Sequence, residues 1–323
     1  MSTSTRAGRP VLAGPRAPRA GAGPRARWSP RRLKEAAWAA AFLAPAVVTI
    51  AATRIAPSVD AFVDSLHRGF PGGLRVPVFD SLGQYQALLS TDAFRETVAR
   101  TVVFNVIINP LQVALALLVA VLMTRRIALR GVWRMLLFVP ATIPLVGSSI
   151  VWGIALQPRG PINAIISTLG GDPQPFFTSP DQAMAAIILV ATWVGVGYWM
   201  IFLISGLEAI PHEYYEAAKL DRAGPVRTFL SVTLPLLKRP LLFVLVADTV
   251  ANFVLFIPVQ VLTNGGPQNS TTMQMFNAYR TSFTYGQKNL GAAEVTILTL
   301  IMLVFVVVQF WLLREERPAR RRR

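Results

Sequence analysis

The sequence predicts an all-α membrane protein of six transmembrane helices with both termini cytoplasmic. Three observations carry that expectation. Of 323 residues, 53% are hydrophobic and only 15% charged, with a mean hydropathy of +0.47, whereas roughly a quarter of the residues of a soluble domain are charged. Six stretches reach the length of about 20 mostly apolar residues that a helix needs to cross roughly 30 Å of hydrocarbon. The formal charge of +16 is gathered at the two ends and in alternate loops rather than spread along the chain.

Residues 1–34 hold nine basic and no acidic residues. Through residue 30 they are rich in Arg, Ala, Gly and Pro, cannot bury enough surface to offset ordering, and are expected to form a disordered basic cytoplasmic tail. Attachment to anionic membrane lipid and simple orientation of the chain are both open roles for it. The first span, 36–57, carries Arg54 inside its far end, where a long side chain reaches toward the headgroups. A cleaved signal peptide is the competing reading, but the apolar run exceeds the usual core of about 7–15 residues and the basic leader is long, so an uncleaved anchor fits better. The remaining spans are 97–123, 132–156, 183–207, 241–262 and 290–313, giving a membrane domain over 35–313. Residues 314–323, with six basic and two acidic side chains, form a second basic cytoplasmic tail.

Six spans place both ends on one side, and the basic residues choose it. The two tails, 125–134 and 219–239 together hold 24 of the 32 Lys and Arg residues, so these face the cytoplasm and the segments around 68–96, 157–182 and 263–289 face outward. Charge placed this way orients a membrane protein and gives no support to a nucleic-acid partner. Cysteine is absent and there are two histidines, so no disulfide framework, thiol nucleophile or Cys/His zinc site can be built. No catalytic constellation and no metal site are expected. No Gly-x-x-x-x-Gly-Lys-Ser/Thr loop for nucleotide phosphates occurs. Energy for any active process would have to come from another polypeptide or from an ion gradient.

The segment 211–235 differs from a plain connector. Pro211 suits the start of a helix, Glu213 its positive end, Lys219 and Arg222 its negative end, and Gly224 a C-terminal cap. Pro225 then opens a second helix, with Val226, Phe229, Leu230 and Thr233 on one face, and Pro235 is expected to end it. Tyr214, Ala217, Ala218 and Asp221 share a face of the first helix, where the small alanines permit close approach of another surface. An amphipathic hairpin lying on the membrane is the alternative for the segment in isolation.

Glu216-Ala217-Ala218, a gap to Arg222, a gap to Val232, and Leu234-Pro235 keep the spacing of the Glu-Ala-Ala signature, and here the sequence resembles the membrane-spanning subunits of bacterial ABC importers. The signature has Gly where Arg222 stands and Ile where Val232 stands. The resemblance covers roughly 42–310. Leu82-Gly83-Gln84-Tyr85, Arg134 to Pro140, and Leu262-Thr263-Asn264-Gly265-Gly266-Pro267 are similar to the carbohydrate-uptake branch of maltose and glycerol-3-phosphate type, and to the first permease of its pair. The resemblance implies a multi-pass protein of the bacterial inner membrane that forms half of a sugar-translocation pore. It implies a second permease subunit, two cytoplasmic ATPase subunits or domains that bind ATP and Mg, and an extracytoplasmic sugar-binding protein, with no cofactor on this chain. It further implies that Glu216, Ala217, Ala218, Asp221, Gly224, Leu234 and Pro235 dock on the ATPase or shape the loop that does. Positive φ is unfavourable for a non-glycine residue, so either the turn moves to Gly224 or Arg222 sits in ordinary helix and adds a basic contact.

Charged side chains at mid-bilayer cost roughly 2.5–3.5 kcal/mol on insertion scales and face protein or water. Asp248 and Asn252, spaced i, i+4 in the fifth span, share one helix face. Accepting hydrogen bonds from sugar hydroxyls in the substrate pathway and bonding across neighbouring helices are both open roles for them. Asn105, Asn109 and Gln112 form a similar stripe in span two, for which helix packing is favoured. Glu294 is expected near the outer headgroups, and Trp152, Trp193, Trp199 and Trp311 as interfacial anchors. An ion-coupled secondary carrier for a small polar solute is the alternative function, with Asp248 as its sole candidate relay acid.

Overall fold

The computed structural model describes residues 30–69, 77–125 and 127–313; the expected disordered and basic tails lie outside these. The chain divides into two compact units between Pro57 and Ser58. In the first, α1 (Pro30–Ile50) runs through Pro45 into a π-helical turn, Ala51–Ile55. Proline removes a helical N–H, and the hydroxyl of Thr49 donates to the Pro45 carbonyl at 2.8 Å while that of Thr53 donates to Thr49 at 2.7 Å. Trp38, Phe42, Val47 and Val48 are exposed, as suits a helix that meets lipid.

The second unit begins within α2 (Ala56–Ser65), which is followed by a two-residue antiparallel ribbon, β1 (His67–Arg68) and β2 (Val78–Phe79), with His67 opposite Phe79. Helices α3 (Gly83–Ser90) and α4 (Asp92–Thr124) follow, then α5 (Arg130–Thr142), α6 (Leu145–Ala155), α7 (Pro161–Thr168) and α8 (Pro180–Glu208). The predicted coupling segment folds as α9 (His212–Leu220), α10 (Pro225–Thr228), a π-helical turn (Phe229–Thr233) and α11 (Leu234–Leu236). Last come α12 (Lys238–Phe253), α13 (Gln274–Tyr279) and α14 (Lys288–Leu312).

Four helices are long and apolar enough to cross a membrane: Ala37–Ser65, α4, α8 and α14. They contain or overlap predicted spans one, two, four and six. Span three is not one rod: α5 and α6 meet at 97°. Ile143 is extended (φ −83°, ψ 130°) ahead of Pro144, as a residue before proline prefers. Span five also differs from expectation. Its helix α12 stops at Phe253, short of residue 262; the chain leaves helix over residues 254–256 and re-enters it at Ile257. Counting each bent pair as one span gives up to six.

The core lies between α4 and α8. Val113, Ala116, Ala120 and Met123 of α4 pack with Met200, Leu203, Ile204 and Leu207 of α8, joined by Leu237 and Val244. Alanines let the two backbones approach closely, since helix association in lipid rests on van der Waals packing rather than on hydrophobic burial. Gly197 serves the same end against α5, because a β-carbon there would fall 1.9 Å from the Leu137 carbonyl oxygen. Leu300, Leu303, Val304 and Val307 of α14 stay exposed, forming an apolar outer face.

Candidate functional site

Helix α9 starts after Pro211, an extended residue (ψ 138°) preceding the first turn, with Glu213 in that turn and Lys219 in the last. The charges therefore match the helix dipole. Its C-terminus closes as a Schellman motif: Arg222 N–H donates to Lys219 O at 3.0 Å and Ala223 N–H to Ala218 O at 2.9 Å. Arg222 is the left-handed residue of that motif, at φ +52°, so both sequence alternatives for it are corrected. The turn stays where the signature's Gly belongs, and Arg222 itself adopts the conformation. Gly224 is not the C-cap; it is extended (φ −67°, ψ 167°) and precedes α10.

The second half of the segment also departs from expectation at one point. Pro235 does not end the helix, which runs on through Leu236, and the chain turns by 71° at Leu237 into α12. Proline is tolerated in the first turn of α11, where no N–H is needed. Leu237 is fully buried in the α4–α8 core.

The segment thus has an anchored face and an open one. Ala218 and Thr233 are buried, Tyr215 packs against the core, and the Thr233 hydroxyl bonds the Tyr215 hydroxyl at 3.3 Å. Glu216, Ala217, Asp221, Arg222, Gly224 and Pro235 are exposed, with Leu234 half-buried. Tyr214 joins the open face, but Ala218 turns away from the face expected for it. Leu220, which sequence reasoning passed over, is 85% exposed. Among the described residues nothing covers this leucine on its short, capped helix.

Asp248 and Asn252 lie deep inside, 1% and 6% exposed. Trp199 Nε1 donates to Asp248 Oδ1 at 2.6 Å, and Asn252 Nδ2 lies within donating distance of Asn109 Oδ1 (2.8 Å), Gln112 Oε1 (3.0 Å) and Asp248 Oδ1 (3.1 Å). Gln112 Nε2 in turn donates to the Ala191 carbonyl at 2.9 Å. One polar network therefore ties α4, α8 and α12, absorbing the stripe in span two. Trp199 belongs to it rather than to an interfacial belt.

Glu294 is likewise enclosed by protein rather than presented on the surface. It is 2% exposed and accepts from Asn277 Nδ2 and the Thr281 hydroxyl, each at 2.9 Å, because α13 and the turn after it fold back over the start of α14. The predicted outer loop is a tight turn: Gly265 takes φ +83°, and the hydroxyls of Thr271 and Thr272 donate to the Gly266 and Gly265 carbonyls at 2.8 and 3.0 Å. Among the described residues no group of three His, Cys, Asp or Glu side chains is placed to hold a metal ion.

Residues 112–317 match the family described as binding-protein-dependent transport system inner membrane components. The maltose/maltodextrin transport system permease of Salmonella typhimurium is 38% identical over 216 residues, 63% of this chain and 42% of that protein. The chain thus spans about two-fifths of the length of such relatives. The lactose transport system permease of Rhizobium radiobacter is 30% identical over 282 residues, 85% of this chain and 94% of that one. A solved bacterial alginate ABC transporter, in complex with an alginate-bound periplasmic protein, shares the fold at a TM-score of 0.76 and 17% identity over 88% of this chain and 96% of its own.

Proposed function

Because the chain belongs to the family of binding-protein-dependent transport system inner membrane components, we propose that it is a permease subunit of an ATP-driven carbohydrate importer of the bacterial inner membrane. In this reading it spans the membrane six times with both termini cytoplasmic and forms half of a pore with a second permease. Two ATPase subunits act from the cytoplasm and a sugar-loaded binding protein from the other side. The sugar relatives, the helical fold and the two-sided 211–236 segment support it.

The observation that carries the coupling role is the pairing of an open face with an anchored one. Glu216, Ala217, Leu220 and Asp221 would meet the ATPase, while Ala218, Tyr215, Thr233 and Leu237 hold the segment to the α4–α8 core. A packed core is bistable rather than continuously deformable, so displacing α9 on ATP binding would shift α8 and α12 as units. That motion would open the pore outward to receive sugar. Asp248 and Asn252 would act in this as the fastener between α4, α8 and α12, rather than as groups that touch sugar.

The test is charge reversal at Glu216, an exposed residue whose replacement leaves the anchored face intact. In the assembled transporter, Glu216→Lys is expected to leave membrane insertion unchanged and to abolish sugar-stimulated ATP hydrolysis. Unchanged stimulation would remove the coupling role from this face.

A further inference from the structure

Two cavities meet at the foot of α4 and differ in chemistry. The first, of about 790 Å³, is lined by the cationic side chains Arg125, Arg130 and Lys219 together with His212. Its acidic member, Glu208, is already paired with Arg134 at 2.7 Å. Among the described residues none of the three cations is joined to a carboxylate. The second, of about 420 Å³, is an apolar groove between α4 and the α10 segment, walled by Leu117, Leu118, Val226, Phe229 and Leu230. Val121, Arg125, Pro225 and Phe229 line both, so the two are one continuous surface with a cationic head and an apolar trough.

We infer that this surface binds one anionic phospholipid, with its phosphate among Arg125, Arg130 and Lys219 and an acyl chain along α4. The dimensions suit that occupant. From Ala114, the lining residue of the trough farthest along α4 from Arg125, to Arg125 just past the end of α4, the helix rises about 16 Å. That is close to half of the roughly 30 Å hydrocarbon thickness, the depth of one leaflet. Basic side chains at such a boundary attract anionic headgroups, and a free phosphorylated solute would leave the trough empty. Bound there, the lipid touches the end of α4, the start of α5 and both halves of the 211–236 segment, bracing the segment against the membrane-spanning core. The cytoplasmic placement of this surface rests on the proposed function, but the binding chemistry does not.

The full chain in mild detergent, titrated with dioleoylphosphatidylglycerol or dioleoylphosphatidylcholine and read by native mass spectrometry, tests the site. A micelle has no sides and no ATPase, so failure here leaves the transport reading standing, and failure of ATPase coupling leaves this site standing. The unaltered chain is expected to retain one phosphatidylglycerol at a concentration at least tenfold below that needed for phosphatidylcholine. Arg125→Glu with Lys219→Glu is expected to erase that preference. Leu118→Trp, which fills the trough without altering charge, is expected to weaken both lipids severalfold and stands as the second variant if the double reversal loses helicity. Equal retention of the two lipids by the unaltered chain, retention unaffected by Leu118→Trp, or displacement of phosphatidylglycerol by an equal concentration of inorganic phosphate would overturn the inference.

Discussion

Arg222 shows how one residue can keep a motif's geometry while departing from its chemistry. Left-handed backbone costs a non-glycine L-residue roughly 1–2 kcal/mol, yet the two Schellman bonds to Lys219 and Ala218 hold Arg222 at φ +52°. Arg222→Gly is therefore expected to raise stability by about 1 kcal/mol in thermal melts of the detergent-solubilised chain, and Arg222→Val to lower it. The spacing of the signature located this turn, but the strain argument pointed to the wrong residue, because it weighed the backbone penalty without the cap bonds that offset it. Asp248 follows a related logic. Its removal would leave the buried Trp199 N–H without an acceptor, so Asp248→Ala is expected to destabilise the chain by about 1–3 kcal/mol; a residue serving only the sugar path would leave the melt unchanged. The i, i+4 pair Asp248 and Asn252 was legible, since helical period sets it. Its partners Trp199, Asn109 and Gln112 lie 49, 143 and 140 residues away from the pair members they bond, and no local periodicity reports such distances.

At the level of elements, the 211–236 segment works because it is short, capped and bolted down on one side only. Leu220 is the most exposed apolar group on its open face, and an exposed leucine on a capped helix gains most from a partner's pocket. Leu220→Asp is expected to reduce co-purification of the ATPase subunit at least tenfold while leaving the chain's own melting temperature unchanged, read by affinity capture beside a melt. Long spans were read well: α4, α8 and α14 are continuous apolar helices, and hydropathy averaged over a window of that length detects them. The bend at Pro144 and the break after Phe253 escaped the same averaging, which sums apolarity without direction. Proline marks where a helix is disfavoured but not the 97° by which the chain then turns, an angle set by what α5 and α6 pack against.

Across the whole molecule, the proposed topology is a statement about charge. Basic residues held on one side of a bilayer orient a chain, and 24 of the 32 stand in the two tails and the loops 125–134 and 219–239. The natural absence of cysteine makes single-cysteine labelling clean. In intact cells an impermeant maleimide is expected to label Asp172→Cys, and to label Lys219→Cys only after the membrane is opened. The four long apolar helices and the clustering of basic residues in tails and loops were legible from sequence because they follow from length and charge. The two-unit division at Pro57 and the folding of α13 over α14 were not, since they depend on tertiary contact. The central claim is that transport runs on ATP hydrolysed by a separate chain. Its most direct test is sugar accumulation in proteoliposomes: the chain assembled with its permease, ATPase and binding-protein partners is expected to accumulate sugar with ATP and not with an ion gradient alone. Accumulation driven by an ion gradient in vesicles holding this chain by itself would contradict it.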